Sequence, residues 1–169
     1  MRFNIVLLVC LVAGCAGLPD YAEPPTDTPS SKLLFKHDFE APFLGYSTFV
    51  NVHTEEEPCG KSFGSDSGAR LVVLDKGNPL ISELNPDGVR LSIDKKYTFM
   101  ILSVAGPINC AIYTSFSPKA NESYEIKVSG ELHSFSRSCK AELFKADENT
   151  KQLSPVEFEY YGNCHESAE

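Results

Sequence analysis

The sequence lacks the short motifs that mark common catalytic sites. It has no Gly-x-Ser-x-Gly nucleophile elbow, no His-Glu-x-x-His zinc motif and no phosphate-binding glycine loop. It also has no Cys-x-x-Cys pair, which disfavours zinc binding and thioredoxin-type redox chemistry. These absences favour a non-catalytic protein with no cofactor and no metal site.

Long apolar runs and an excess of positive charge are missing as well. The apolar run at residues 5–12 is far shorter than the roughly 20 residues of a membrane-spanning helix, and no later window is apolar enough. The 23 acidic residues outnumber the 15 Lys and Arg residues, for a formal net charge of −8. Such a chain is not expected to bind nucleic acid, because its surface repels phosphate.

The N-terminus has the organisation of an export signal. Met1 and Arg2 form a positively charged end, residues 5–12 are apolar, and the small residues Ala13 and Gly14 follow. These small residues lead directly into Cys15. The sequence therefore predicts that the chain is exported and that residues 1–14 are a signal peptide.

The stretch that ends at Cys15 resembles the lipobox of bacterial lipoproteins. The resemblance implies that Cys15 is diacylated, that the chain is cleaved before it, and that the new amine is acylated. Several acyl chains hold a protein firmly at a membrane, whereas one chain holds it marginally. Ala16 stands where an Asp would retain such proteins at the inner membrane. The resemblance therefore implies the periplasmic face of the outer membrane. The alternative is an ordinary signal peptide cut near Ala16, in a secreted protein that could be eukaryotic.

The remaining chain divides into a linker and one domain. Residues 15–32 are rich in Pro, Ser, Thr and acidic residues, which predicts a lipidated, flexible, extended linker. At about 3.1 Å per residue it could reach roughly 50 Å. Residues 33–169 form a domain small enough to benefit from disulfides.

The cysteines predict two disulfides. Cys10 is removed with the signal, and Cys15 is the proposed lipid site. The remaining even set in an exported chain is expected to pair. Its members are Cys59, Cys110, Cys139 and Cys164. Three pairings are possible. An antiparallel pairing of the last two predicted strands, residues 138–146 and 156–162, favours Cys139–Cys164 and leaves Cys59–Cys110.

Hydrophobic patterning predicts an antiparallel β-sandwich of about eight or nine short strands. Turn signals recur between apolar runs, and no long amphipathic helix is present. Residues 110–116 alternate, with Cys110, Ile112, Thr114 and Phe116 on one face. Residues 89–94 and 97–104, with a tight polar joint between them, predict a β-hairpin.

The candidate chemical groups are isolated. His37 and Asp38 are neighbours in a predicted surface strand and point to opposite faces. His53 precedes Glu55, Glu56 and Glu57, which we interpret as a solvated acidic loop because consecutive residues diverge. In the C-terminal aromatic run, Phe158 and Tyr160 are predicted to face the core and Tyr161 to be exposed.

A second resemblance covers about the last third of the chain. Residues 110–118, 124–128 and 139–143 are similar to a pattern in small uncharacterised proteobacterial lipoproteins: a strand ending Phe-x-Pro, a Tyr-led strand and a later Cys strand. Those proteins commonly have Gly in the intervening turn, where Ala120, Asn121 and Glu122 stand here. The resemblance implies no activity and no functional residues.

The sequence thus favours a membrane-anchored periplasmic lipoprotein that acts as a non-catalytic binding or envelope-structural module. Its expected partners are the membrane, through the lipid on Cys15, and an envelope protein. One alternative is a periplasmic inhibitor of a lysozyme-type enzyme or a protease, because an acidic surface complements a basic enzyme. A second is an enzyme built from residues distant in sequence, and a third is a secreted eukaryotic β-domain that binds a partner.

Overall fold

The computed structural model describes residues 18–41, 45–53, 68–93, 95–147 and 150–162. Over these ranges the chain forms ten β-strands and no helix, and therefore no helix there could cross a membrane. The strands are β1 (Ser30–Glu40), β2 (Tyr46–His53), β3 (Gly68–Lys76), β4 (Val89–Ser92), β5 (Tyr97–Ala105), β6 (Ile108–Phe116), β7 (Ser123–Leu132), β8 (Arg137–Ala146), β9 (Leu153–Val156) and β10 (Glu159–Gly162).

The strands form two five-stranded sheets that pack face to face, which confirms the predicted sandwich. The first sheet has the order β4-β1-β7-β8-β9, and the second has the order β10-β6-β5-β2-β3. All pairings are antiparallel except β1 with β7. We call the end where β1 and β7 begin the proximal end, and the end where they finish the distal end.

The core lies between the sheets, and buried residues alternate with more exposed ones along strands such as β1 and β4. On β6 the predicted inner face is confirmed, because Cys110, Ile112, Thr114 and Phe116 are all at most 7% exposed. Ring contacts join the sheets; the centroids of Phe116 and Tyr124 on β7 lie 5.1 Å apart. Burial of such a continuous apolar layer is the main term that stabilises a sandwich.

The predicted hairpin of residues 89–94 and 97–104 is wrong. β4 pairs with β1 in the first sheet, whereas β5 pairs with β2 and β6 in the second. The chain crosses between the sheets at this joint, and the Ser92 N–H donates to the Tyr97 hydroxyl at 2.9 Å. Two strands with alternating apolar residues bury their apolar faces equally well as neighbours in one sheet or on opposite sides of the core. The sequence pattern therefore does not distinguish the two arrangements.

The predicted pairing of the last two strands is also wrong. β8 pairs with β9, Leu143 opposite Val156, and β10 then crosses to pair with β6 in the second sheet. Phe158 lies at the crossing and packs against the core. Pro155 lies on β9, an edge strand, where its missing N–H leaves no gap in the ladder.

The predicted disulfides Cys139–Cys164 and Cys59–Cys110 are corrected by this topology. Cys110 on β6 is bonded to Cys139 on β8, with Cα atoms 6.3 Å apart, so one bridge joins the two sheets. The prediction of Cys139–Cys164 required β10 to lie beside β8, whereas β10 lies in the other sheet, and Cys59–Cys110 was predicted only as the remaining pair. Cys59 and Cys164 lie outside the described residues.

The expected linker contacts the domain over most of its described length, and β1 begins at Ser30 rather than at residue 33. Asp20 forms a β-bridge with Arg70 of β3, and its carboxylate accepts from the Arg70 guanidinium at 2.7 Å. The Arg90 guanidinium of β4 donates to the carbonyls of Pro24 and Pro25 at 3.2 and 2.9 Å. These contacts hold the chain at the proximal end, so the 50 Å reach does not apply beyond Pro19.

Candidate binding groove

An open groove of about 570 Å³ lies at the proximal end of the sandwich. It forms because β10 crosses to the second sheet and leaves a gap between the two sheet edges. Its walls come from the connection between β6 and β7, from β8, and from the chain between β9 and β10. The lining residues are Ser115, Phe116, Ser117, Lys119, Glu122, Tyr124, Lys145, Val156, Glu157, Phe158 and Glu159.

The floor of the groove is aromatic and rigid. Phe116 ends β6 and Tyr124 lies near the start of β7, and both rings are fixed in the core at 7% and 5% exposure. Phe158 packs beside them from the β9–β10 segment. Because Phe116 and Tyr124 are nearly buried, the apolar contact that the groove offers to a ligand comes mainly from the half-buried Phe158.

One rim is organised around Glu122. Its carboxylate accepts from the Lys145 ammonium and from the Tyr124 hydroxyl, each at 2.5 Å. The Lys145 contact, and then the Tyr124 hydrogen bond, lower the pKa of Glu122. Burial, and then the bond to Glu122, raise the pKa of Tyr124 to about 12. At neutral pH the rim therefore carries a carboxylate, an ammonium and a neutral phenol that donates a hydrogen bond.

Glu159, which lines the groove from the start of β10, has a similar set of contacts outside the groove. Its carboxylate accepts from the Lys96 ammonium at 2.5 Å and from the Tyr161 hydroxyl. The Lys96 contact lowers the pKa of Glu159 and correspondingly raises the pKa of Lys96. Thr114 donates to the Glu159 carbonyl at 2.9 Å, which holds Glu159 on β6.

One carboxylate–ammonium–phenol set and Glu159 thus border the aromatic floor, while Lys96 and Tyr161 contact Glu159 from outside the groove. The arrangement can bind a ligand that covers the rings and exchanges hydrogen bonds with charged groups of both signs. Among the described residues no cluster of three His, Cys, Asp or Glu side chains could hold a metal ion.

The candidate chemical residues His37, Asp38 and His53 do not line the groove. His37 and Asp38 point to opposite faces, as predicted, but His37 is not on the surface; it is half-buried between the sheets, and its Nδ1 lies 3.0 Å from the Thr48 hydroxyl. Asp38 is exposed and lies 3.7 Å from the Lys127 ammonium. His53 ends β2.

Several predicted residues cannot be compared with the groove. Glu55, Glu56 and Glu57, which follow His53, lie outside the described residues, as do Cys15 and the 1–14 signal.

The C-terminal aromatic run contributes Phe158 to the groove lining. Phe158 packs against the core, as predicted. Tyr160, predicted to be inward, is 48% exposed, whereas Tyr161, predicted to be exposed, is partly buried. Sequence reasoning missed Glu122, because its partner Lys145 is 23 residues away.

No protein-family model, curated protein or solved structure matches this chain.

Proposed function

We propose that this protein is a lipid-anchored binding module of the bacterial outer membrane, tethered through Cys15 on the periplasmic side. The observation that carries the binding role is the groove, whose aromatic floor is bordered by the paired Glu122 and Lys145 and by Glu159. A binding module needs such a preorganised concave surface and no reactive centre. We propose an extended peptide as the ligand class, because it offers apolar side chains and backbone hydrogen-bonding groups together.

The bound N-terminal segment supports a close anchor. Three residues separate Cys15 from Pro19, whose carbonyl accepts from the Arg70 N–H at 2.7 Å. Four residue steps span at most about 14 Å. A lipid on Cys15 would therefore hold the proximal end, and the groove with it, next to the membrane surface.

Selection of peptides on the immobilised full chain tests the groove. Selected peptides are expected to bind Lys145→Ala and Phe158→Ala variants at least roughly tenfold more weakly than the unmodified protein. The matched control is Leu80→Ala, which removes an exposed apolar side chain at the distal end. Circular dichroism checks that each variant is folded. Peptides that bind all three variants as tightly as the unmodified protein would refute the groove as the site.

A further inference from the structure

Among the residues that the structure describes, the two most exposed large apolar side chains lie at the distal end of the sandwich. Phe135 is 102% exposed and Leu80 is 89% exposed, whereas Leu153 and Tyr160 are only about half exposed. A single exposed apolar residue is normal in a soluble domain. Two that are fully exposed at the same end require a separate explanation.

The strand pairings place both residues at this end. β1 runs parallel to β7, with Glu40 opposite Glu131, and Phe135 follows in the turn between β7 and β8. Tyr46, at the start of β2, pairs with Lys76 at the end of β3, and Leu80 follows in the next connection. Both turns therefore extend beyond the ends of the sheets on the same side.

Phe135 contributes nothing to the fold that could explain its presence. The turn is closed by the His133 N–H, which donates to the Ser136 carbonyl at 3.0 Å, and by the Ser136 hydroxyl, which donates to Glu131. These bonds do not involve the Phe135 side chain. Turn positions ordinarily favour Gly, Pro, Asn, Asp or Ser. An aromatic ring at a protruding turn is instead typical of the anchors of protein interfaces.

An apolar recess and a cation accompany the two side chains. A cavity of about 470 Å³ opens beside Leu80 and is lined in part by Phe49, Pro79 and Ile81. Arg137, directly after the Phe135 turn, is exposed and forms no ion pair with any residue that the structure describes. Arginine beside an aromatic side chain is the composition that protein interfaces enrich.

The position of the tether selects the kind of partner. Asp20 and Ser30 are held at the proximal end, so a lipid on Cys15 directs the distal end away from the membrane. This step rests on the proposed function. This orientation excludes the lipid surface as the partner of the distal end. It also disfavours a second copy of the chain on the same membrane, because the distal end of that copy would point in the same direction.

The spacing of the two side chains selects a macromolecule over a small ligand. Phe135 belongs to the first sheet and Leu80 follows a strand of the second. Stacked sheets lie about 10 Å apart. The β7–β8 turn and β3 are also offset by two to three strands, or roughly 12 Å, along the sheets, since β8 faces β6 and β1 faces β3. A protein surface covers two protruding side chains at that combined separation, whereas one small molecule does not.

We propose that the distal end is a docking surface for a second protein, which receives Phe135 in an apolar pocket and Arg137 against an acidic group. Leu80 and the recess beside it complete the contact at the other sheet.

Site-specific photo-cross-linking in intact membranes tests the proposal. A benzophenone amino acid replaces Phe135 or Leu80 and, as the matched control, Leu153. We expect one protein to be captured from both distal positions and not from position 153, with its cross-linked peptide rich in Asp or Glu. Capture of lipid, of a second copy of this chain, or of the same protein from position 153 would overturn the proposal, as would no capture.

Binding of the captured protein in solution provides the second readout. Phe135→Ser and Arg137→Glu are each expected to weaken it at least roughly tenfold, whereas Leu153→Ser leaves it unchanged. The folding of Phe135→Ser is not in question, since the ring contacts nothing in the core. The soluble Cys15→Ala variant separates the two proposals. If the native protein proves not to be lipidated but Cys15→Ala still binds the captured protein through Phe135, the anchor fails and the docking surface stands.

Discussion

His37 is a titratable side chain on the inner face of β1, between the core residues Phe35 and Phe39. Its ring packs edge-on against Tyr46 at 4.7 Å between centroids, and its Nδ1 meets Thr48. Burial, and then the nearby Lys76, lower the pKa of His37. The folded state therefore prefers the neutral imidazole.

A pH dependence of stability follows from His37. The unfolded chain binds a proton near the ordinary imidazole pKa of about 6.5, before the folded chain does. The stabilisation that comes from the neutral His37 is fully present above about pH 6.5. It decreases below that pH and is lost as the pH falls through the lower pKa of His37 in the folded state. The free energy of unfolding, measured in urea between pH 7.5 and 5, should fall more steeply for the unmodified protein than for His37→Gln. His133→Gln at the distal turn is the control, and equal slopes for the protein and both variants would contradict the assignment.

At the scale of the strand, position 130 on β7 requires a glycine, because it lies opposite Cys139, which carries the disulfide. Its φ is +151°, and a Cβ there would lie 2.0 Å from the Ser138 carbonyl oxygen and 2.9 Å from the Cα of Cys139. Any larger residue must displace the strand that carries Cys139. The bridge to Cys110 resists that displacement.

Gly130→Ala is therefore expected to lower the free energy of unfolding by about 2 kcal/mol. Gly106→Ala is the matched control, because Gly106 also has a positive φ, of +58°, but no atom lies within 4 Å of its added Cβ. The control should lose about half as much, since it carries only the backbone cost. If the two variants unfold at the same urea concentration, the close contact at Ser138 makes no additional contribution to the loss of stability.

The pairing of strands shows what sequence patterns could and could not predict. Alternation along β6 predicted that Ile112 and Phe116 face the core, because that information is local to one strand. Alternation does not distinguish a hairpin from a crossing between sheets, so the partners of β4 and β10 were predicted wrongly. The cysteine pairing depended on those partners and failed with them. The groove was missed for the same reason, since it lies where the chain crosses from β9 in the first sheet to β10 in the second.

The remaining cysteines make a prediction by elimination. With Cys110 bound to Cys139, an exported chain that oxidises all four cysteines of its domain leaves only Cys59 with Cys164. Peptide mapping of the non-reduced protein by mass spectrometry should find two peptides joined by a Cys59–Cys164 disulfide. Free thiols at both positions would contradict the prediction, and a Cys15→Ala background removes ambiguity from the lipid site.

At the scale of the whole molecule, the two ends of the sandwich have different characters. The proximal end holds the N-terminal segment and the groove, and the distal end holds the protruding Phe135 and Leu80. With the proposed lipid on Cys15, a short tether at one end would give the molecule an orientation that a 50 Å free linker would not. The composition of residues 15–32 predicted an unbound linker, because nothing in it signals that Asp20 contacts Arg70. Only the folded sheet presents that partner.

We propose that a lipid on Cys15 holds the proximal end of the sandwich at a membrane. The most direct test is the intact mass of the protein extracted from membranes, compared with that of Cys15→Ala. The predicted result is a mass equal to residues 15–169 plus acyl groups, and a Cys15→Ala protein that leaves the membrane fraction. A soluble, unacylated protein that begins near Ala16 would contradict the anchor, and with it the orientation that assigns the groove to the membrane side.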